Sequence, residues 1–376
     1  MSVQGLKRIT DRTVAGHQTQ NRSSWGSKLA ELLEITQQSA IALHQALSDA
    51  IGEGCHVAHE VKLALADDVI EASWYLHNYD LPFNPAFKAI YVASDSDGAT
   101  SRTELPIRQT RSDRTNDFSA TSSHEGSSRS RQDKLPAQRG VIWIKNLCDT
   151  LRGNSDEDME VVLSNNAIGT RFLEKTTIIP RDGYTTISLN EVLASGPKIP
   201  REYLRLSVAV HAALNLAEFS RTEWRHRAWT KDSLCFLAKE VGDKAAADGP
   251  HLDIDFASLY VPLDLNNTVS GPSISEEQPV DLEEFGILLL EIRHQKTLEA
   301  RFPDEDTIDR QRRGELARDW LKSSDTVTGT HGRAIWNCLR SMTDSGDDFL
   351  AKFSTHVILL LYQAKSQLEQ LLDTRE

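Results

Sequence analysis

The stretch REYLRLSVAVHAALNLAEFS (201–220) constrains this chain more than any other part of it. Leu204, Leu206, Val208, Val210, Ala213, Leu214, Leu216 and Phe219 set apolar side chains nearly all round a helix, which leaves no face to give to water. That helix has to be buried. The chain has the material to bury it: 376 residues, 39% hydrophobic, which allows one large domain or two to three small ones. The composition excludes a collagen-like, fully disordered or disulfide-stapled chain. The longest apolar runs, Val357 to Tyr362 and Ile287 to Leu290, are of core length and fall well short of the ~20 residues that span a bilayer.

The elements around that helix follow from periodicity. Residues 1–23 are polar and read as a disordered tail. Over 24–51, Leu29, Leu32, Leu33, Ile41, Leu43 and Leu47 recur at helical spacing, Ser24 is a cap, and Gly52-Glu53-Gly54 is the break. Period-two patterns in HVAHEVKLAL (56–65), VIEASWYL (69–76) and FKAIYVA (87–93) predict three strands of a small antiparallel sheet. Two or three more short strands are expected between about 160 and 188, after a short helix over 141–151. Helices at SLNEVLAS (188–195), 281–292, 309–322, 331–342 and 347–373 complete the chain. Residues 94–139 are of another kind: fifteen of 46 are Ser or Thr, eight are Lys or Arg, seven are acidic, and Phe118 is the sole aromatic. Such a segment buries too little apolar surface to offset its ordering entropy, and it is expected to be a disordered insertion. The fold class is therefore α+β. It comprises a β-rich lobe over 52–187, which contains the insertion, and a helical lobe over 188–376.

Charge and cysteines restrict the partners. With 42 basic against 55 acidic side chains the formal charge is −13, which argues against a broad nucleic-acid surface, because phosphate binding is mostly a Lys/Arg effect. The first twenty residues lack the apolar stretch of a secretory signal. Cys55, Cys148, Cys235 and Cys338 form no CxxC pair. A cytoplasmic, reducing location and a protein partner are the expectation, with no transmembrane segment.

One constellation carries chemistry. HRAWTKDSLCFL (226–237) follows the buried helix and resembles the protein-kinase catalytic loop, HRDxKxxN and a short strand. His226 and Arg227 match; Ala228 stands at the catalytic aspartate, Thr230 at the lysine and Ser233 at the metal-binding asparagine. Three neighbours fall in kinase order. YTTISLNEVLASGPKIP resembles the hinge and a short helix, HLDIDFASLY the metal-binding DFG strand as Asp255-Phe256-Ala257, and DLEEFGILLLEI the central buried helix, with Asp281 and Gly286.

The resemblance implies a bilobal, protein-kinase-like but degenerate fold. Phosphoryl transfer needs a base for the acceptor hydroxyl and oxygens that hold magnesium against the phosphates. Alanine at 228 supplies no base, and Thr230 lacks the lysine's charge. Gly52 and Gly54 lie on a glycine-loop pattern whose third position is Val57, and Lys62 or Lys88 stands for the phosphate-contacting lysine. No catalytic residue is expected, and ATP and magnesium enter only under the alternative of an atypical kinase or nucleotide-binding phosphotransferase using Asp255.

The wider pattern, LHQAL, Cys55-His56-Val57-Ala58-His59, a Ser-rich insertion, LAEFSRTEWRHRAWTKDSLCFL and FGILLLEI, resembles a fungal kinase-like family of unknown function. It occurs alone or beside helical prion-inhibition (HeLo-type) domains of incompatibility and cell-death proteins. That resemblance implies an inactive scaffold or regulatory interaction module in such signalling. A third reading is a helical effector whose N-terminal helix contacts other chains or membrane.

Each signal has a plainer counterpart. On a strand, His56 and His59 face opposite sides and no second pair follows, so no metal site is expected. His226 and Arg227 are expected to hold the loop by backbone hydrogen bonds, Trp224 and Trp229 to pack beside it, and Asp281 to cap its helix and fix the loop backbone. The stripe Phe349, Phe353, Val357, Leu360, Leu361, Leu368 and Leu371 is expected to be core except in its last two turns.

Overall fold

The computed structural model describes residues 22–51, 59–65, 69–70, 72–73, 83, 85–94, 100–109, 142–143, 159–164, 167–172, 184–194, 196–220, 230–241, 251–264, 281–305, 309–324, 327, 329–340 and 349–373. Helix α1 (Arg22–Ile51) is followed by strands β1 (His59–Leu65), β2 (Ala86–Ser94), β3 (Thr100–Gln109), β4 (Ile142–Trp143), β5 (Met159–Ser164), β6 (Ala167–Phe172) and β7 (Tyr184–Ser188). Helices α2 (Leu189–Ala194) and α3 (Glu202–Phe219) lead into strands β8 (Cys235–Val241) and β9 (His251–Asp264). The rest is helical: α4 (Leu282–His294), α5 (Leu298–Arg301), α6 (Arg310–Lys322), α7 (Gly329–Leu339), α8 (Phe349–Phe353), a π-helical turn (Ser354–Ile358) and α9 (Leu359–Asp373).

The strands form one sheet of order β4-β6-β5-β3-β2-β1-β9-β8-β7. All its pairings are antiparallel except β3 with β5. The mixed α+β class is thus present, and β8 and β9 join the sheet from beyond residue 188. β9 is the junction. Its first half pairs with β8 and its end, Val261 to Asp264, pairs with Leu63 to Glu60 of β1. Between the pairs Leu237↔Asp255 and Cys235↔Tyr260, residues 256–259 of β9 stand against Phe236 alone, a large bulge. The bulge reverses the alternation, so Ile254 before it, Phe256 and Leu259 at its two ends and Val261 after it all enter the main core.

Helix α3 lies at the centre, where its sequence requires it. Every residue from Leu206 to Phe219 is buried, and α1, α4, α9, the π-helical turn, β1 and β9 pack around it. That enclosure takes in a polar stripe, Ser207, His211, Asn215 and Glu218, which repeats at helical spacing. Glu218 is fully buried, and neither carboxylate oxygen has a hydrogen-bond partner among the described residues. Burial pushes its pKa well above the ordinary range, because an apolar surrounding favours the neutral acid over the carboxylate.

Helix α1 is core, not a free arm. Leu29, Leu32, Leu33, Leu43 and Leu47 are buried. Gln37 Nε2 donates to Ala217 O at 2.6 Å and Ser220 Oγ at 3.1 Å, which ties α1 to the end of α3. Near its start, Gly26 backs onto the π-helical turn so closely that a Cβ would sit 1.9 Å from Thr355 Oγ1. In the C-terminal stripe Phe353, Val357, Leu360 and Leu361 are buried and Leu371 is 61% exposed.

Three expectations need correction. The supposed disordered insertion 94–139 contains β3, paired along its length with β2. Its overall composition hides a local alternation that sends Ile107 into the core, and Pro106 falls where the β5 ladder has not yet begun, so its missing N–H is tolerated. Residues 110–139 lie outside the described residues. In the segment 69–76, read as a strand, residues 69–70 and 72–73 are helical, and Ser73 Oγ receives Trp25 Nε1 from α1 at 2.9 Å. Within 141–151, read as a helix, Ile142–Trp143 is strand β4, recruited by β6.

Candidate functional site

The sequence-selected residues that the structure describes gather on two features: the sheet face turned away from the main core, and the turn between α3 and β8. On the sheet face, Lys62 stands opposite Ile90, Thr186 opposite Leu237, and Leu237 opposite Asp255, and directly opposed residues share a face. Ile90, Cys235, Leu237 and Tyr260 form a separate small apolar cluster there, with Tyr184 against it. Lys62 is 6% exposed, and its Nζ donates to Thr186 Oγ1 at 3.3 Å, three strands away in the sheet order. A lysine reaching that far requires a strongly curved, concave face. Thus Lys62, strand β7 and Asp255 share one surface, and Lys88, two residues before Ile90 on β2, faces the same side but is exposed. Asp255 Oδ1 accepts from Ala257 N at 3.1 Å, closing the start of the β9 bulge on itself.

The turn 230–234 carries the last positions of the kinase-like loop. Ser233 Oγ accepts from Thr230 N at 3.1 Å and Thr230 Oγ1 at 3.3 Å, and donates to Thr230 O at 2.8 Å. A hydroxyl has one proton and two lone pairs, so Ser233 is fully engaged within its own turn. Asp232 Oδ1 accepts from Asn190 Nδ2 at 2.7 Å, and Asn190 N donates to Lys231 O at 2.8 Å, docking the turn on α2.

Lys231 fastens the same turn to the helical core. Its Nζ lies 3.0 Å from Glu291 Oε1 in α4 and 3.1 Å from Glu299 Oε2 in α5. Glu291 is buried and also accepts Leu298 N at 2.7 Å. Burial raises its pKa despite the opposing pull of Lys231. Burial would raise Glu299 too, but its hydrogen bonds, that from Arg313 foremost, and the charge of Lys231 hold it down to about 2.

Asp281 and Gly286 organise α4. Asp281 Oδ1 caps the helix by accepting Glu284 N at 3.2 Å, and its Oδ2 meets Arg310 at 2.6 Å. Glu283 and Glu284 in the same first turn meet Arg318 and Arg313, so α6 lays three arginines against the acidic start of α4. A Cβ on Gly286 would lie 2.9 Å from Leu339 Cδ2, so the missing side chain lets α7 approach α4. Gly52, Gly54, Cys55, His56, Trp224, His226, Arg227, Ala228 and Trp229 lie outside the described residues. Among the described residues, no group of three or more His, Cys, Asp or Glu side chains could hold a metal ion, and no helix is long and apolar enough to cross a membrane.

A family model described as a domain of unknown function (DUF7580) matches residues 28–348. The chain belongs to that family. No curated protein and no solved structure matches it. In this DUF7580 chain the match takes in every strand and α2 to α7, while α8, the π-helical turn and α9 lie beyond it yet fill the same core.

Sequence reasoning missed Lys231, Glu291 and Glu299 as the clamp on the turn. A signal was present in Glu291, a lone charge inside the apolar run GILLLEI, because a carboxylate on a buried helix face needs a partner.

Proposed function

We propose that this chain is a catalytically inactive, kinase-like domain that serves as an interaction or regulatory scaffold for a protein partner. The observation that carries the reading is the turn 230–234. At the metal-binding asparagine position the Ser233 hydroxyl is used up by Thr230, and Lys231 beside it is spent on Glu291 and Glu299. The side chains at the positions that bind magnesium and steer a phosphate in a kinase, Ser233 and Thr230, are here committed to each other, and Lys231 between them holds the turn in place. With Ala228 at the base position, the loop has the make-up of a structural joint. The resemblance of the sequence to a fungal kinase-like family supports a role for that scaffold in incompatibility or cell-death signalling.

Nucleotide binding without transfer is a second reading, and one observation favours it: Lys62 and Asp255 share a concave sheet face with the hinge-like strand β7. The test is thermal unfolding of the full chain with ATP and magnesium, followed by a labelled-phosphate transfer assay. The scaffold reading expects no transferred label. Label transfer that Asp255→Ala abolishes would overturn it. An ATP-dependent shift lost in Lys62→Met, without label transfer, would favour nucleotide binding.

A further inference from the structure

Helix α7 begins on a side chain whose surroundings resist protonation. The helix packs against α4, α6, α9 and the π-helical turn. His331 lies in its first turn and is 7% exposed, and its Nε2 has no hydrogen-bond partner among the described residues. Three features of this position act against an imidazolium. Burial strips a cation of its hydration. The N-terminal turn of a helix carries the positive pole of the macrodipole. The charged groups that act on His331 are themselves basic: Arg293 and His294 at the end of α4, and Arg205 in the first turns of α3. Among the described residues, no charged group of α6, α9 or the π-helical turn acts on it.

The cations are fixed in place. Arg205 Nη1 donates to Arg293 O at 3.1 Å, and Arg293 pairs with Glu202, so that carboxylate is already spent. His294 is half-buried, with its ring stacked on Trp320 of α6 at 4.7 Å and its Nε2 2.7 Å from Ser324 Oγ. Burial, followed by Arg293, Arg301 and Arg205, lowers its pKa. For His331, burial followed by Arg293, His294 and Arg205 brings the pKa down to about 3.

An exposed histidine takes its proton near pH 6.5. The folded pKa lies lower, so the stability of the closed form is complete above pH 6.5 and is lost as pH falls below it. Each further unit of acidification favours an open form about tenfold, because that form binds a proton which the closed one refuses. The backbone leaves room for opening at this end. Gly329 starts α7 at φ 68°, and a Cβ there would meet nothing within 4 Å.

We infer that the start of α7 is an acid-released latch, closed on the end of α4 while His331 is neutral and opened when His331 takes up a proton. Opening releases Ala334 and Ile335, both buried in the closed form. The device stands apart from the kinase-like loop and does not depend on how that loop is read.

The test is amide hydrogen exchange of the full chain at pH 7.5 and pH 5, with each rate divided by that of an unstructured chain at the same pH. The amides of residues 333–336 bond to residues 329–332, one helical turn back, and report the opening. Their protection should fall by about thirtyfold between the two pH values, and it should stay below that of residues 288–292 in α4. His331→Gln, neutral at every pH, should lose most of that fall. An unchanged fall in His331→Gln would overturn the proposal. So would equal protection of the two segments at pH 5, which would mean that the whole molecule opens. A third measurement needs no variant: the imidazole signals of His331 should show no titration between pH 7.5 and pH 5, and a ring that titrates near pH 6.5 would also sink the latch.

Discussion

Replacing Glu218 by glutamine tests whether a neutral carboxylic acid is sealed inside the core. Glu218 is fully buried, neither oxygen has a partner among the described residues, and burial raises its pKa above the ordinary value of 4.5. Below pH 4.5 the group is protonated in both folded and unfolded chains and contributes no pH dependence. As pH rises past 4.5 the unfolded chain releases the proton and the folded chain retains it. Stability therefore falls with rising pH, by about 1.4 kcal/mol per pH unit for one proton, and levels off only once the folded pKa is passed. Glutamine keeps the shape and leaves a neutral polar group in the same apolar site, so Glu218→Gln removes this slope while preserving most of the burial cost. Urea unfolding of both proteins from pH 5 to pH 7 gives the stability difference directly, and every other titrating group cancels in the comparison. The variant should gain on the parent as pH rises, by at most about 1.4 kcal/mol per pH unit where the folded chain keeps the proton that the unfolded chain has released. A difference that stays constant with pH would refute the reasoning, because it would mean that Glu218 ionises in the folded protein as readily as in the unfolded one.

Two further outcomes follow from close contacts. Gly26→Ala places a Cβ 1.9 Å from Thr355 Oγ1; it should cost about 1–3 kcal/mol in chemical unfolding as an overpacked contact, and Thr355→Ala should recover part of that loss. Lys231→Met leaves Glu291 buried without its cation, and it should cost about 3 kcal/mol, the low end for breaking a buried pair, because Glu291 keeps the Leu298 N–H and can take up a proton. That second loss should shrink as pH is lowered; a cost independent of pH would exclude Glu291 as the group responsible.

Much of the fold was legible because burial leaves a periodic mark. Helix α3 was readable from an apolar surface that no solvent-facing helix carries, and α4 from the run GILLLEI. Strand β3 was not. Its few apolar residues sit in a segment whose average composition resembles a disordered chain, and only pairing with β2 and β5 makes its alternation count. Ile142–Trp143 looked helical for the same reason: two residues are a strand only when β6 supplies the partner. In the candidate site, the kinase-like order of residues could be read, but not what they touch. The pattern gives Ser233 only its position, and the structure shows its oxygen engaged with Thr230 three residues earlier. Lys62 was selected from its place after a glycine pattern; that it reaches Thr186 depends on the curvature of three intervening strand pairings.

By itself the sequence determined that α3 must be enclosed and that the chain mixes strands and helices. These are local properties, set by which side chains occur and at what spacing. Only the tertiary structure decided that one sheet would run from β4 to β7 through β9, that Lys231 would clamp the loop to Glu291 and Glu299, and that Glu218 would be sealed in the core. Those outcomes depend on pairings between residues tens to hundreds of positions apart. No local pattern encodes them, because each pairing is favourable only after the others have brought its two halves together.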